Sequence, residues 1–488
     1  MKKFDKLIWD LDAYKVGHMS QYPPDTGYIY SVFQLRSNRY FSEVPIIGLQ
    51  YFLEEYLSQP ITHEEVNELI AELKLMGIYH PSTEEKLHAL ADLGYLPIKI
   101  NAIPEGCIVQ LPNAICTIEN TVPGFHWVVG MVETLLLKWW GALATSACSY
   151  EYRKLVEKYF EKTSTNKALI DYTVHDFGSR GCMSPEGAAL TGMAHALNFK
   201  GSDTIIAAPF IRQYYNLDKE TPLIASVPAS EHSVMCAYGK DNELEAFKHM
   251  MELYPTGIIS IVSDTYNWYN VMENFTVELK DEILKRDGKV VFRPDSGNPI
   301  EIICGNPMAK DKESAEYLGG IRYLDKIFGH TINEKGYKVL NSHVGLIYGD
   351  GMYLDRYKET LKRLEQMGYS AENLVIGVGG ILRNHTRDTL GGAFKATAVC
   401  RNGEWMDIMK NPITDSKKKS YCGRVQVEFN INNGTYTTVQ ESEAREDSKH
   451  TRILRPVFKD GKIISKMEWD YIKSNYETDL NFFLDTLK

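Results

Sequence analysis

Val290–Pro299 reads VVFRPDSGNP. Val290, Val291 and Phe292 form the end of a buried strand, and the chain then breaks into a loop stiffened by Pro294 and Pro299. A turn needs the proline, serine and glycine of this loop. It does not need an arginine and an aspartate two residues apart, so Arg293 and Asp295 are candidates for holding something charged.

The same rhythm recurs along the chain. Short apolar runs (IISIV, KVVF, VGLI, NLVI) lead into polar clusters: HDFGSRG (175–181), GSDT (201–204), PASEHS (228–233), VSDTY (262–266), FRPDSGNP (292–299), YGDG (348–351) and GVGG (377–380). Helical patterns often follow; Ser184 and Pro185 make a good helix start, an N-cap with proline at the first helical position. Strand, polar loop and helix in repetition imply parallel strands. A closed or nearly closed α/β barrel brings all such strand ends to one face. An open doubly wound sheet gathers ligands chiefly near its switch point. The expected architecture is therefore a closed or nearly closed α/β barrel spanning 151–395.

The flanks read differently. Residues 1–150 mix helices and strands: THEEVNELIAELKLMG (62–77) is an amphipathic helix with Thr62 as its cap, and IKINAIPEGCIVQLPNAICTIEN alternates as half-buried strands do. Residues 396–488 are β-rich. Asn433-Gly434 and Asp460-Gly461, each between apolar alternations, are hairpin signals. This tail is expected to pack with the N-terminal part.

Composition sets bounds. With 488 residues, 44% hydrophobic and 24% charged, the chain is ordinary globular protein, long enough for two or three domains. A net charge of -10 argues against nucleic acid as the main partner, while leaving room for small anions in a local basic pocket. The short basic loop DSKKKSYCGR (415–424) is the nearest thing to a low-complexity tract. The 8 cysteines show no CxxC spacing and read as buried, reduced thiols, which suits a cytoplasmic protein. MKKFDKLIWDLD lacks a signal-peptide core before Asp10 and Asp12. The apolar stretch 126–150 is interrupted by Glu133 and Lys138, so no membrane span is expected there.

The clusters carry the chemistry. Glycines in GDG and GVGG let backbone N–H groups cradle a phosphate, though a tight turn explains either one alone. Arg180, Arg293, Arg387 and Lys395 fall in or after such loops; Arg387 also has Asp388 beside it as an ion-pair partner. Asp264 and Asp295 follow strands and suit Mg²⁺ or ribose hydroxyls, with Asp264 equally able to cap a helix within SDTYNWYNVMEN. Asp203 can cap a helix or accept from an amide. Phe177 fills the core or stacks on a flat ring. His232 adjoins Glu231 at a strand end, where a lone histidine is structural or is charged and oriented for use. Together these describe a site for a phosphorylated sugar and a planar ring. No Walker A, GxGxxG after a strand or GxSxG occurs in place.

At these residues the sequence resembles the nicotinate/nicotinamide branch of the phosphoribosyltransferases. The likeness runs through DAYKVGHMSQYPP (12–24), IGLQYFL, LPIKINAIPEG, HDFGSRG, NFKGSDT, the PASEHS segment, VSDTY, RPDSGNP, GDG and TRDTLGGAFKAT. It implies transfer of phosphoribosyl from phosphoribosyl pyrophosphate (PRPP) to nicotinamide with Mg²⁺, nicotinic acid being the rival substrate. It implies an irregular α/β barrel joined to an α/β domain made from both chain ends, and a homodimer with shared sites. Phe177 and the other subunit's Tyr14 would sandwich the pyridine, with Asp12 near that tyrosine. Asp203, beside Ser226 and Val227, would bind the carboxamide. Arg180, Arg293 and Asp295 would hold the amide, pyrophosphate and ribose end. Gly349, Asp350, Gly379 and Gly380 would surround the ribose 5′-phosphate, and Arg36, Arg387 and Lys395 would be phosphate ligands from the facing subunit. His232 matches a histidine phosphorylated by ATP. Ser179 and Val378 depart from the family pattern, which bears on pocket shape rather than reaction class.

Overall fold

The computed structural model describes residues 6–37, 39–414 and 419–487. The start of the basic loop, Asp415–Lys418, lies outside them. The chain divides into two compact units.

The first unit comprises Met1–Ala147, Phe210–Lys219 and His385–Thr486. Its centre is a 7-stranded antiparallel sheet in the order Glu404–Asp407, Gly392–Arg401, Thr26–Leu35, Asn113–Asn120, Ile98–Ala102, Arg455–Lys459 and Lys462–Ile463. Both chain ends thus contribute strands to one sheet. Phe33 pairs with Phe394 on one side and Cys116 on the other, and its ring is fully buried against Trp139. Ile98, Ile100 and Ala102 bury alternate positions of their strand, as the alternation predicts. The helix His63–Leu75 starts at Thr62, whose hydroxyl accepts from the Glu65 N–H while the Glu65 carboxylate accepts from the Thr62 N–H.

Both hairpin signals hold. Val425–Asn430 pairs with Thr435–Gln440 around Gly434, and Arg455–Lys459 turns into Lys462–Ile463 through Asp460 and Gly461, both at positive φ.

The second unit comprises Cys148–Pro209, Glu220–Asn384 and Leu487–Lys488. Five parallel strands lie in the order Val174–Asp176, Leu374–Val378, Val344–Tyr348, Asp287–Arg293 and Thr256–Val262. Isolated parallel bridges carry the arc on from Asp176 to Ser202, from Gly201 to Ala225, and from Ala229 to Ser260. The circuit closes, and the result is the irregular α/β barrel expected. Two of the predicted strand–loop units, at GSDT and PASEHS, are single bridges rather than strands, because polar residues there leave too short an apolar run to extend the pairing. Val290, Phe292, Val344, Leu346, Leu374 and Ile376 are buried, as parallel strands covered on both faces require.

The stretch 126–150 forms the helices Trp127–Met131 and Glu133–Leu137 and the start of Trp140–Thr163. Among the described residues no single helix is long and apolar enough to cross a membrane; the two segments of this region pass that test only as a pair bent by 43°, and their apolar side chains are buried. The cysteines are free, but not all are buried: Cys236 is exposed, and Cys182 and Cys422 are half-buried. Cys236 sits on the short amphipathic helix His232–Tyr238, whose buried face is taken by Met235.

Candidate active site

The strand ends of the barrel assemble most of the predicted residues. Phe177 follows the strand Val174–Asp176, and its N–H donates to the Val378 carbonyl at 3.0 Å. Its ring lies where a side chain at Gly377 would stand: a Cβ there would be 2.0 Å from the ring. The Arg293 guanidinium covers that ring at 5.0 Å from its centroid. Asp203 is brought next to Phe177 by backbone, its N–H donating to the Asp176 carbonyl at 3.0 Å. The Ser226 hydroxyl donates to Asp203 Oδ1. Ser226 and Val227 then open into a cavity of about 390 Å³ lined also by His175, Ser260, Lys289 and Val291. Burial holds the His175 imidazole below its ordinary pKa and the Lys289 ammonium below its own.

A second cluster surrounds Asp264. The helix in SDTYNWYN begins at Trp268 with Asn267 as its cap, so Asp264 is not the cap. Its Oδ2 instead accepts from the Asp295 N–H at 2.8 Å and the Ser296 hydroxyl at 2.6 Å. Its Oδ1 lies 3.3 Å from His232 Nε2; the Asp264 side chain is 2% exposed and the His232 ring 48%. Arg293 is anchored by its own backbone, which exchanges hydrogen bonds with Ser263. Asp295 Oδ1 and Arg293 Nε are buried without a hydrogen-bond partner among the described residues. Burial pushes the Asp295 carboxyl above the ordinary range; Arg293 opposes this, and Asp264 and Asp350 reinforce it. Gly349 is glycine for a reason of space, since a Cβ would stand 2.4 Å from Asp295 Oδ1 and 3.1 Å from Arg293 Nε.

The third part is a pocket of about 700 Å³ lined by Gly181, Asp350, Gly351, Arg356, Gly379, Gly380 and Arg383. Arg180 lies beside it in the exposed turn Ser179–Gly181. Val378 is buried in its strand and points no polar group at the pocket.

Asp12, Tyr14, Arg36, Arg387 and Lys395 belong to the first unit and form a group of their own. Thr134 donates to Asp12 at 2.8 Å. Tyr14 is 63% exposed, with the Lys15 ammonium 5.6 Å from its ring centroid. Lys15 and Lys395 share Glu133. Burial lowers the pKa of Lys395 and of Arg36, and Arg36 and Lys15 add repulsion at Lys395. Arg387 makes the expected ion pair with Asp388 at 2.8 Å, on the surface.

Reading the sequence missed Gly377 as a ring seat, Ser263 and Ser296 as supports, and Arg383. GVGG drew attention to its last two glycines as a phosphate cradle, and nothing in the spacing of ILRN marks Arg383.

Short parallel strands closed into an irregular barrel, with an arginine, paired carboxylates and two glycine loops at their carboxyl ends, define a barrel protein of the phosphoribosyltransferase class. The nicotinate phosphoribosyltransferase (NAPRTase) family model matches residues 172–462, and a model for the N-terminal domain of nicotinamide phosphoribosyltransferase matches residues 6–100. The chain belongs to the nicotinate phosphoribosyltransferase family. It is 38% identical to a nicotinamide phosphoribosyltransferase of Acinetobacter baylyi, covering 98% of each chain, and 34% identical to one from Xanthomonas campestris, covering 97% of this chain and 99% of that one. Its fold matches a nicotinate-nucleotide pyrophosphorylase from Pyrococcus furiosus with a TM-score of 0.60 at 15% identity, covering 98% and 96% of the two chains, and human nicotinic acid phosphoribosyltransferase with a TM-score of 0.59 at 15% identity, covering 96% and 93%.

Proposed function

We propose that this protein is a nicotinamide phosphoribosyltransferase of NAD salvage, making nicotinamide mononucleotide and pyrophosphate from nicotinamide and PRPP. Its full-length relatives bearing that name support the reading. The observation that carries it is the backbone contact that brings Asp203 to the residue before Phe177, with the Ser226 hydroxyl donating to Asp203 Oδ1. A ring stacked on Phe177 presents its amide to a carboxylate. An amide NH₂ donates to that carboxylate, whereas the carboxylate of nicotinic acid is repelled by it.

The chemistry asks little of the protein beyond placement. The C1′–O bond to pyrophosphate breaks as the pyridine nitrogen, which carries a lone pair and no proton, bonds to C1′. No general base is needed. Phe177 fixes the ring face, Arg293 meets the departing pyrophosphate, and the backbone at Gly349, Gly379 and Gly380 receives the ribose phosphate. Arg180 takes the amide or pyrophosphate in this reading, and Asp350 the ribose hydroxyls.

Mg²⁺ fits this site. Asp295 Oδ1 is a buried acceptor without a hydrogen-bond partner among the described residues, Asp264 is near enough to raise its pKa, and no group of three or more His, Cys, Asp or Glu among those residues forms a cage of its own. That suits an ion that keeps water and shares substrate phosphates. When bound it supplies charge neutralisation to the leaving pyrophosphate.

His232 is the acceptor for a phosphoryl group from ATP: Asp264 orients Nε2 and leaves Nδ1 to attack, with ADP leaving. Tyr14, Arg36, Arg387 and Lys395 serve a second copy of the chain in a cytoplasmic homodimer, with Asp12 supporting Tyr14; an exposed ring and half-buried or surface cations on one unit are ready phosphate and ring partners. The test is Asp203→Asn. Loss of discrimination between amide and acid supports the assignment, and unchanged discrimination refutes it.

A further inference from the structure

Asp176 and Arg383 stand outside the roles above, yet they join its two halves. Asp176 ends the strand that delivers Phe177, and its polar groups each hold a different segment. Its N–H donates to the Gly201 carbonyl at 3.1 Å, and its carbonyl accepts from the Asp203 N–H at 3.0 Å. Its Oδ1 accepts from the Gly178 N–H at 2.8 Å, and its Oδ2 from Arg383 Nη2 at 2.6 Å. Arg383 in turn closes the turn Gly380–Leu382, its N–H donating to the Gly380 carbonyl at 2.9 Å. The guanidinium passes beneath the ring loop. A Cβ at Gly178 would lie 3.1 Å from Arg383 Cζ and 2.8 Å from the Gly379 carbonyl.

We infer that Asp176 and Arg383 are a positioning pair that locks the ring-stacking loop to the glycine loop, so that the pyridine and the phosphate end of PRPP are held in one geometry. The inference rests on the proposed reaction for its two substrates. Stability is a poor explanation for the pair. Both side chains are buried, at 0% and 3% exposure, and Arg383 Nε and Nη1 have no hydrogen-bond partner among the described residues. A buried ion pair so incompletely satisfied returns little net stability, and well-packed apolar residues would serve as well. Burial by itself drives the Asp176 carboxyl upward, but Arg383 and further contacts bring it below its ordinary range, so the pair is charged. What the pair supplies is a fixed distance between Phe177 and Gly380.

The test compares Arg383→Met, Asp176→Asn and the double variant Asp176→Asn/Arg383→Met, with kcat/KM measured separately for the pyridine substrate and for PRPP, and folding followed by melting and near-ultraviolet circular dichroism. The double variant leaves no unpaired buried charge, so it keeps the test open where a single variant unfolds. The lock predicts that kcat/KM falls on the order of 10²-fold for both substrates in the folded variants, as displacement of reacting groups does. It also predicts that the double variant is no worse than the single ones, as coupled residues behave. Folded variants with wild-type kinetics overturn it. So does a loss confined to PRPP, which would make Arg383 a phosphate ligand alone. Wild-type protein that uses nicotinic acid rather than nicotinamide refutes the proposed function instead, and the lock is then tested on that substrate.

Discussion

Gly377 and Phe177 show how closely single residues fix this site. Gly377→Ala puts a methyl into the ring seat, and overpacking of this kind costs about 1–3 kcal/mol. KM for nicotinamide is expected to rise sharply while KM for PRPP changes less; equal KM values in mutant and wild type would contradict the seat. His232→Ala is expected to abolish incorporation of acid-labile phosphate from ATP, read with radiolabelled ATP. Asp295 gives a pH signature. Its carboxyl titrates above the ordinary range, chiefly through burial, with Asp264 and Asp350 adding to it. If ionised Asp295 is required, kcat/KM falls as pH drops through that raised value, and Asp350→Asn moves this acid limb to lower pH. An unmoved limb excludes Asp295 as its source. At this scale Arg293, Asp295 and Asp203 were legible because charged residues in a glycine- and proline-rich strand end have no local use. Gly377 and Arg383 were not, because their reasons lie across the barrel in Phe177 and Asp176.

Elements were read best where the signal is local. Thr62 with Glu65, Ser184 with Pro185, and Asp460-Gly461 each fix a cap or turn by their own side chains or backbone, and each stands where expected. Asp264 was readable as a cap or as a site carboxylate; Asn267 caps the helix after VSDTY, and the contact with Asp295 claims the aspartate. The helix Trp469–Asp485 offers an element-scale prediction. Burial pushes its Asp479 carboxyl up to about 6, where Oδ2 accepts from Ile108 and Tyr436 at 2.7 Å each. With a folded pKa above the unfolded value of about 3.9, the folded state binds the extra proton between these values. Stability from this group is therefore fully present below about pH 4 and is lost by about pH 6, a span of about 2–3 kcal/mol. Denaturant unfolding of Asp479→Asn between pH 4 and 7 is expected to lack that loss. A pH dependence equal to wild type would contradict it.

Across the whole molecule, the sequence rhythm foretold a barrel and a β-rich tail that packs with the N-terminal part because parallel strand ends and hairpin dipeptides leave local marks. Closure through single bridges at Ser202, Ala225 and Ala229 left none. Nor does any stretch of sequence say that Tyr14, Arg36, Arg387 and Lys395 act with another copy; that part of the account rests on the family resemblance. It predicts complementation. Tyr14→Ala and Phe177→Ala variants, each inactive, are expected to regain activity when mixed and allowed to exchange subunits, since one of the two sites in a mixed dimer is intact. No recovery despite exchange would place both residues in one chain's site.

One assay reaches both the reaction and its choice of pyridine. Purified protein is incubated with PRPP, Mg²⁺ and either nicotinamide or nicotinic acid, and mononucleotides are detected by mass spectrometry. Nicotinamide mononucleotide is expected from the first mixture and no nicotinate mononucleotide from the second; product from nicotinic acid alone, or from neither, would contradict the proposed reaction.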